Sequence, residues 1–361
     1  MNKSCNLKGG QKVFLMHLNK VASCCKAHPI DLDNPSIDFY LDLWKQEHQQ
    51  LEQGVELPGC KHCWNAEHSG QQSYRQKMVD YTGNYVEIIL DNLCNQMCSY
   101  CSPKFSSEWE NSIQQQGNFT NVSKSARDNL SVTTIHTAQD AWLDKIQELL
   151  SRGPVVLKLL GGEPLMQRRN LQKLLELNAE NITTLIINTN LNPPNNKFLK
   201  WVLDTFPKDK LSFDISLDTV PEYNAIPRAG FDLQKFLENL TLLEQHNIPM
   251  VFLSVVSILN IFSIGQYQTW LDQRGYRSNF FRIQNPDCLD PCYLPEQFKQ
   301  IVQAHNLPIS ARDSLNHLPG MVDLKLFEQY NYLTQYFQRT NTQITDPVLA
   351  KYWAWLTEKF K

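Results

Sequence analysis

The stretch at residues 85–101, YVEIILDNLCNQMCSYC, constrains the rest of the chain more than any other. An apolar run at 86–90 reads as a strand. Asp91 and Asn92 end it, and Cys94, Cys98 and Cys101 follow in the spacing C-x3-C-x2-C. Three thiolates this close cannot complete the ligand set of a tetrahedral zinc or of an all-cysteine cluster. They can hold three corners of a [4Fe–4S] cube and leave the fourth iron open for chemistry. The alternative is a structural zinc whose fourth ligand lies far off in the sequence.

Such a loop needs a strand end to stand on, and the pattern downstream offers five more. Residues 155–160 are apolar except for Lys158, and a helix follows to about residue 177. Strands expected at 184–187, 211–217, 250–256 and 280–283 alternate with helices at 197–206, 233–246 and 264–274. Buried parallel strands read as apolar runs, and helix-long connections make right-handed crossovers. The expected fold class is α/β: a partial (β/α)6 TIM-like barrel over 83–290. A small cysteine-rich module at 1–82 precedes it, and a helical extension at 291–361 follows. By analogy with closed barrels, the site belongs at the C-terminal ends of the strands, where the cysteine loop lies.

The chain has 361 residues, 42% hydrophobic and 20% charged, which suits a folded protein with a large core. The net charge of −3 gives no basic excess, so nucleic acid is not expected as a partner. No apolar run is long enough to span a bilayer, and MNKSCNLKGG has no signal-peptide core. A cytoplasmic chain with reduced thiols is expected, and its ten cysteines then read as metal ligands. Cys5, Cys24, Cys25, Cys60 and Cys63 can supply four thiolates to a second cluster or to a zinc, with the choice between Cys24 and Cys25 open. His17, His62 and His68 lie nearby in sequence, and a solvated surface role is expected for each. Cys288 and Cys292 read as ordinary buried cysteines, with metal ligation or hydrogen-atom donation by a thiol as alternatives.

Smaller expectations follow from local pattern. Ser36 caps a helix that begins IDFYLDLWKQ and stops near Gly54, and Thr137 caps another. Residues 106–134 are polar and aperiodic and read as a long loop. Glu67 and Arg75 read as local ion-pairing residues of a linker, or as substrate contacts. Glu87 and Lys158 interrupt apolar strands and read as a structural pair or as polar substrate contacts. The aromatic stripes of the last helices read as packing faces.

At the end of the second strand stands Gly161-Gly162-Glu163-Pro164, about sixty residues past the cysteines. The third strand ends in Asn188-Thr189-Asn190 and the fourth in Ser216-Leu217-Asp218, with Arg228 following in IPRAG; the fifth offers Ser254 and, further on, Asn260. The cysteine spacing, Tyr100 before the last cysteine, and the GGEP turn resemble the radical S-adenosylmethionine (radical SAM) superfamily. The N-terminal cysteine unit resembles the SPASM/twitch auxiliary-cluster modules, although it precedes the core where those usually follow.

The resemblance implies that the open iron chelates SAM. One electron then cleaves SAM to methionine and a 5′-deoxyadenosyl radical, which abstracts hydrogen from the substrate. It implies that Gly161, Gly162, Glu163 and Pro164 bind the methionine amino group, and that Ser216 and Asp218 lie at the ribose and carboxylate. Arg228 would pair with that carboxylate, and Tyr100, Asn188, Asn190 and Ser254 would add contacts. No catalytic residue is assigned beyond the cluster. The implied substrate is a peptide or protein that is modified, for example by crosslinking or epimerisation, with a flavodoxin or ferredoxin as electron donor. No separate precursor-recognition domain is expected ahead of the module. A small metabolite as substrate, or a non-catalytic iron–sulfur or zinc protein, are the other readings.

Overall fold

A computed structural model describes residues 5–77, 83–132, 134–135, 140–304, 307–313, 315 and 322–361. The expected cap at Thr137 lies outside them. The chain forms two compact units, one of Met1–Asn92, Thr134–Asn188 and Phe198–Ser212, the other of Leu93–Thr133, Thr189–Lys197 and Phe213–Lys361.

The first unit is built on a sheet of β1 (Gln11–Leu15), β2 (Lys20–Ala22), β3 (Ile30–Asp31), β4 (Tyr85–Ile89), β6 (Val155–Leu160) and β7 (Ile182–Thr189), in the order β3-β2-β1-β4-β6-β7. The pairs β1–β4, β4–β6 and β6–β7 are parallel, and β2 and β3 turn back antiparallel. The N-terminal segment thus shares the sheet: β1 runs in register with β4 from Gln11 opposite Tyr85 to Leu15 opposite Ile89. Val13 and Phe14 supply the buried side chains that hold it there.

Strand β6 alternates buried and half-buried residues along its length. One face of β6 is therefore fully packed, while the other is half-buried and carries Lys158 between Val156 and Leu160. Glu87 and Lys158 are direct register partners on β4 and β6 and share that second face. Helix α1 (Ile37–Glu52) buries Ile37, Tyr40, Trp44 and Leu51 along one stripe. Ser36 occupies its N-cap position without a side-chain cap bond; its N–H instead donates to Asn34 Oδ1 at 2.9 Å. Around α2 (Lys61–His68), two of the histidines, His62 and His68, sit on the surface as expected, but His17 is wholly buried in the turn after β1. That turn carries it under the strand, where a solvated role is closed to it.

The second unit holds β8 (Leu211–Ser216, from Phe213 on), β10 (Met250–Val256) and β11 (Arg277–Arg282), all parallel. A two-residue ladder also joins β5 (Met97–Cys98) to β9 (Arg228–Ala229). The stretch expected to be one long loop instead contains α3 (Ser107–Gln116) and α4 (Lys124–Asn129). Their caps explain the difference: Ser106 Oγ accepts from Trp109 N–H, and Ser123 Oγ from Ala126 N–H. Trp109, Ile113, Phe119 and Ala126 are buried anchors too sparse to show as a period.

Helices α5 (Asp140–Ser151), α6 (Arg168–Asn178) and α7 (Lys197–Thr205) belong to the first unit, α7 from Phe198 on. The second holds α8 (Leu233–Gln245), α9 (Ile264–Gln273), α10 (Glu296–Gln303), α11 (Val322–Thr340) and α12 (Pro347–Phe360). The expected class holds: an α/β fold with parallel strands, β/α repeats and a helical C-terminal extension. Among the described residues no helix is long and apolar enough to cross a membrane.

Candidate functional site

Cys94, Cys98 and Cys101 stand on the loop that opens the second unit, the first two buried and the third partly exposed. The loop is pinned through its backbone. Cys94 N–H donates to Ser107 Oγ, Ser106 Oγ donates to the Gln96 carbonyl at 2.7 Å, and Trp109 Nε1 donates to the Cys98 carbonyl at 2.9 Å. The β5–β9 ladder sets Cys98 opposite Arg228. Two tyrosines of α11 complete the brace: Tyr332 OH donates to the Ser99 carbonyl, and Tyr336 OH bonds the Met97 carbonyl. Burial raises the Cys98 thiol and pushes Cys101 up to about 12, with the Cys98 charge adding to the latter.

Asp218, wholly buried at the end of β8, organises the surroundings. Its Oδ2 accepts from Arg228 Nε at 2.8 Å and from Tyr100 OH at 2.7 Å. Its Oδ1 accepts from Val255 N–H at 2.8 Å and from Arg228 Nη2 at 3.3 Å. Ser254 Oγ and Asn260 Nδ2 both donate to its carbonyl. The guanidinium then reaches Cys98: Nη1 lies 3.5 Å from Sγ, and the group sits 5.4 Å from the Tyr100 ring centre. Burial works against the Arg228 charge, but Asp218, Tyr100 and Cys98 outweigh it and keep the group cationic. Beside this network Asn190 Nδ2 donates to Asn95 Oδ1 at 3.0 Å, and Asn95 Nδ2 donates to the Asn192 carbonyl.

Six residues singled out in the sequence, Cys98, Tyr100, Asp218, Arg228, Ser254 and Asn260, are thereby one hydrogen-bonded network. Ser216 lies at the end of the same strand β8. Gly161 to Pro164 and Asn188 belong to the first unit. There Gly161 and Gly162 both have positive φ, +76° and +51°. Glu163 is buried and its Oε1 accepts from Leu165 N–H at 2.9 Å, while Gln167 Nε2 donates to the Gly161 carbonyl at 3.1 Å. The turn at the end of β6 is therefore held by side-chain bonds at both ends, with its two glycines half-buried.

Sequence pattern did not single out Gln96, Trp109, Tyr332 or Tyr336. The tyrosines fit their helix as packing residues, and nothing in a periodicity distinguishes a ring that packs from one whose hydroxyl also holds a loop. Gln96 has a local signal only in hindsight of burial. It is 1% exposed, an uncommon state for a glutamine.

The residues of the loop fit a cluster. Besides the three thiols, the side-chain atoms Gln96 Nε2 and Ser99 Oγ, flanking Cys98, are buried with no hydrogen-bond partner among the described residues. Buried polar atoms rarely stay unmet, and acceptors brought in by a bound group would meet them.

The N-terminal cysteines converge as a second donor set. Cys5, Cys24, Cys60 and Cys63 line one cavity of the first unit; Cys25 does not line it and stands exposed with its N–H on Gln11 Oε1. Burial raises the thiols of Cys5 and Cys60 and pushes Cys24 up to about 12. Three cations line the same cavity: Lys8, 2.6 Å from Glu47, Lys26, 5.8 Å from the Tyr74 ring centre, and Arg75, which pairs with Glu67 and lies 4.6 Å over the Trp64 ring. Of the Glu67–Arg75 pair, Arg75 is thus part of this cavity's wall. Among the described residues no three His, Cys, Asp or Glu side chains are grouped tightly enough to hold one metal ion. A cube binds each thiolate through a different iron and so takes a wider set. Cys288 and Cys292 are wholly buried near the start of α10, as ordinary cysteines are.

Residues 88–261 match the family described as the Radical SAM superfamily. No curated protein sequence matches the chain. Among solved structures, histidine-tagged anSMEcpe with bound AdoMet is similar at 18% identity over 56% of this chain, with a TM-score of 0.41. This chain spans 50% of that one. Streptococcus suis SuiB bound to precursor peptide SuiA is similar at 12% identity over 88% of this chain and 66% of that one, with a TM-score of 0.41. The similarity to the Radical SAM superfamily thus spans residues 88–261.

Proposed function

We propose that this protein is a radical SAM enzyme that abstracts hydrogen from a peptide or protein and so modifies it, for instance by crosslinking or epimerisation. The observation that carries the reading is the three-thiol loop, inside the matched residues, braced on every side and facing the buried Arg228. A [4Fe–4S] cluster held by Cys94, Cys98 and Cys101, with SAM on its open iron, would supply one-electron reductive cleavage of SAM.

The protein's own groups do the rest. Asp218 and Tyr100 fix the Arg228 charge beside Cys98, and α3 and α11 hold the backbone of the loop. Arg228 uses three of its five N–H donors on Asp218 and Cys98, which leaves two for the SAM carboxylate. Asn190 and Ser216, in the same unit as the loop, would add further contacts.

Cys5, Cys24, Cys60 and Cys63 would hold a second [4Fe–4S] cluster, with Lys8 and Arg75 offsetting its negative charge. The choice of a peptide rests on this module, which resembles the SPASM/twitch units in content.

The test is anaerobic reconstitution with iron and sulfide, then addition of SAM and a low-potential reductant. Formation of 5′-deoxyadenosine is the expected result, with about eight irons per chain for two cubes. Cys24→Ala should lower the iron content by about half, toward the four irons of one cube, while Cys25→Ala should keep it. Zinc in place of iron, or iron without deoxyadenosine, would end the enzymatic reading. Equal loss from Cys24→Ala and Cys25→Ala would end the proposed ligand set. Peptides offered as substrates separate the peptide reading from one in which only a small metabolite is turned over.

A further inference from the structure

We propose that Gln96 is a positioning residue of the cluster loop: its side-chain amide donates an N–H···S hydrogen bond to Cys98 Sγ and, with Arg228, sets the reduction potential of the cluster bound there. The inference rests on the reading above that Cys94, Cys98 and Cys101 hold a cluster.

The geometry comes first. Gln96 lies between two of the ligand cysteines and is 1% exposed. Its backbone is fixed by Ser106 Oγ at 2.7 Å. Its amide head lies against Cys98, with Oε1 3.8 Å from Sγ, and its Nε2 is buried without a partner among the described residues. A cysteine sulfur bound to iron carries no proton and only accepts. Facing such a sulfur, Oε1 would set acceptor against acceptor. A half-turn about the last side-chain bond exchanges oxygen and nitrogen without changing the shape of the group. It points the buried donors at the sulfur and leaves a carbonyl oxygen, the less demanding orphan, in their place.

The consequence is electrostatic. Hydrogen bonds to cluster sulfurs and net charge set the reduction potential. Reduction adds one electron from an external donor, and a donor dipole or cation aimed at a ligand sulfur stabilises the added charge. Cys98 would receive both kinds, the amide of Gln96 and the guanidinium of Arg228, whose Nη1 is 3.5 Å away. Its burial keeps water from competing with either.

The experiment is an EPR-monitored redox titration of reconstituted full-length protein. The signal that changes on adding SAM identifies the cluster at Cys98. Two variants are compared with the wild type: Gln96→Met, which keeps the volume and loses the donors, and Gln96→Glu, which replaces donors by a charged acceptor. Gln96→Met is expected to make reduction about tenfold less favourable, a midpoint about 59 mV more negative. Gln96→Glu is expected to fall at least as far.

Identical midpoints for wild type and Gln96→Met would overturn the inference while leaving the enzyme reading intact. Failure of both variants to retain the cluster would overturn it too, since Gln96 would then serve retention and not potential. A wild type with no SAM-responsive signal would overturn the enzyme reading and this inference with it.

Discussion

Asp218→Asn is expected to destabilise the protein by about 3–5 kcal/mol, the usual cost of stripping one partner from a buried ion pair. The change is nearly isosteric, so packing hardly alters and the loss is electrostatic. Arg228 would remain in place, 7% exposed, with its counter-charge gone. Each Asp218 oxygen now accepts two bonds, from Arg228 and Tyr100 on one side and from Arg228 and the Val255 N–H on the other. An amide group cannot accept all four, because its nitrogen donates.

A second substitution separates this account from a generic defect. Adding Arg228→Met removes the orphaned cation, and replacement of a whole buried pair by apolar groups is often close to neutral. The double variant should therefore unfold at higher denaturant than Asp218→Asn alone. Chemical denaturation followed by tryptophan fluorescence reads both. A loss below about 1 kcal/mol in the single variant, the size of an ordinary hydrogen bond, would show that the network is not held by charge.

The parts of this molecule that were legible in the sequence are those written locally. The six apolar runs gave their strands to within a few residues, because a buried strand is read from its own neighbours. The cysteine trio and the glycine turn were legible for the same reason: each is a few consecutive residues with one chemistry. What was not legible depends on distant partners. Arg228 was assigned to a ligand carboxylate, yet it meets Asp218 ten positions away and Cys98 130 positions away, and no spacing announces either.

Cys24 and Cys25 are adjacent and chemically identical. Only the fold turns one into the cavity with Cys5, Cys60 and Cys63 and the other outward. The two helices at 107–129 were hidden because single capping serines and isolated anchors such as Trp109 replaced a periodic stripe. That β1 is the parallel neighbour of β4 was not legible, since pairing is a matter of topology and not of composition.

Gly161→Ala tests the turn after β6, and here the expected loss is about 2–5 kcal/mol, from two sources that add. The residue has φ +76°, a region where a Cβ costs roughly 1–2 kcal/mol. The space is closed as well: a Cβ there would overlap Ile89 Cγ2 and stand 3.0 Å from Ile89 Cβ. Relieving such an overlap means moving Ile89, the last residue of β4 and itself buried, at a cost of about 1–3 kcal/mol.

The two terms can be told apart with Ile89→Ala. Alone it removes Cγ2 and leaves a cavity, at roughly 2–5 kcal/mol. Combined with Gly161→Ala, the new methyl enters the space that Ile89 vacates. The double variant should then be more stable than the two single losses predict, by an amount near the overlap term, while the backbone cost remains. Thermal or denaturant unfolding of all four proteins measures the coupling. Strict additivity would mean that Gly161 is required only for its backbone angles, and that the close approach of the turn to β4 is not part of what holds the turn in shape.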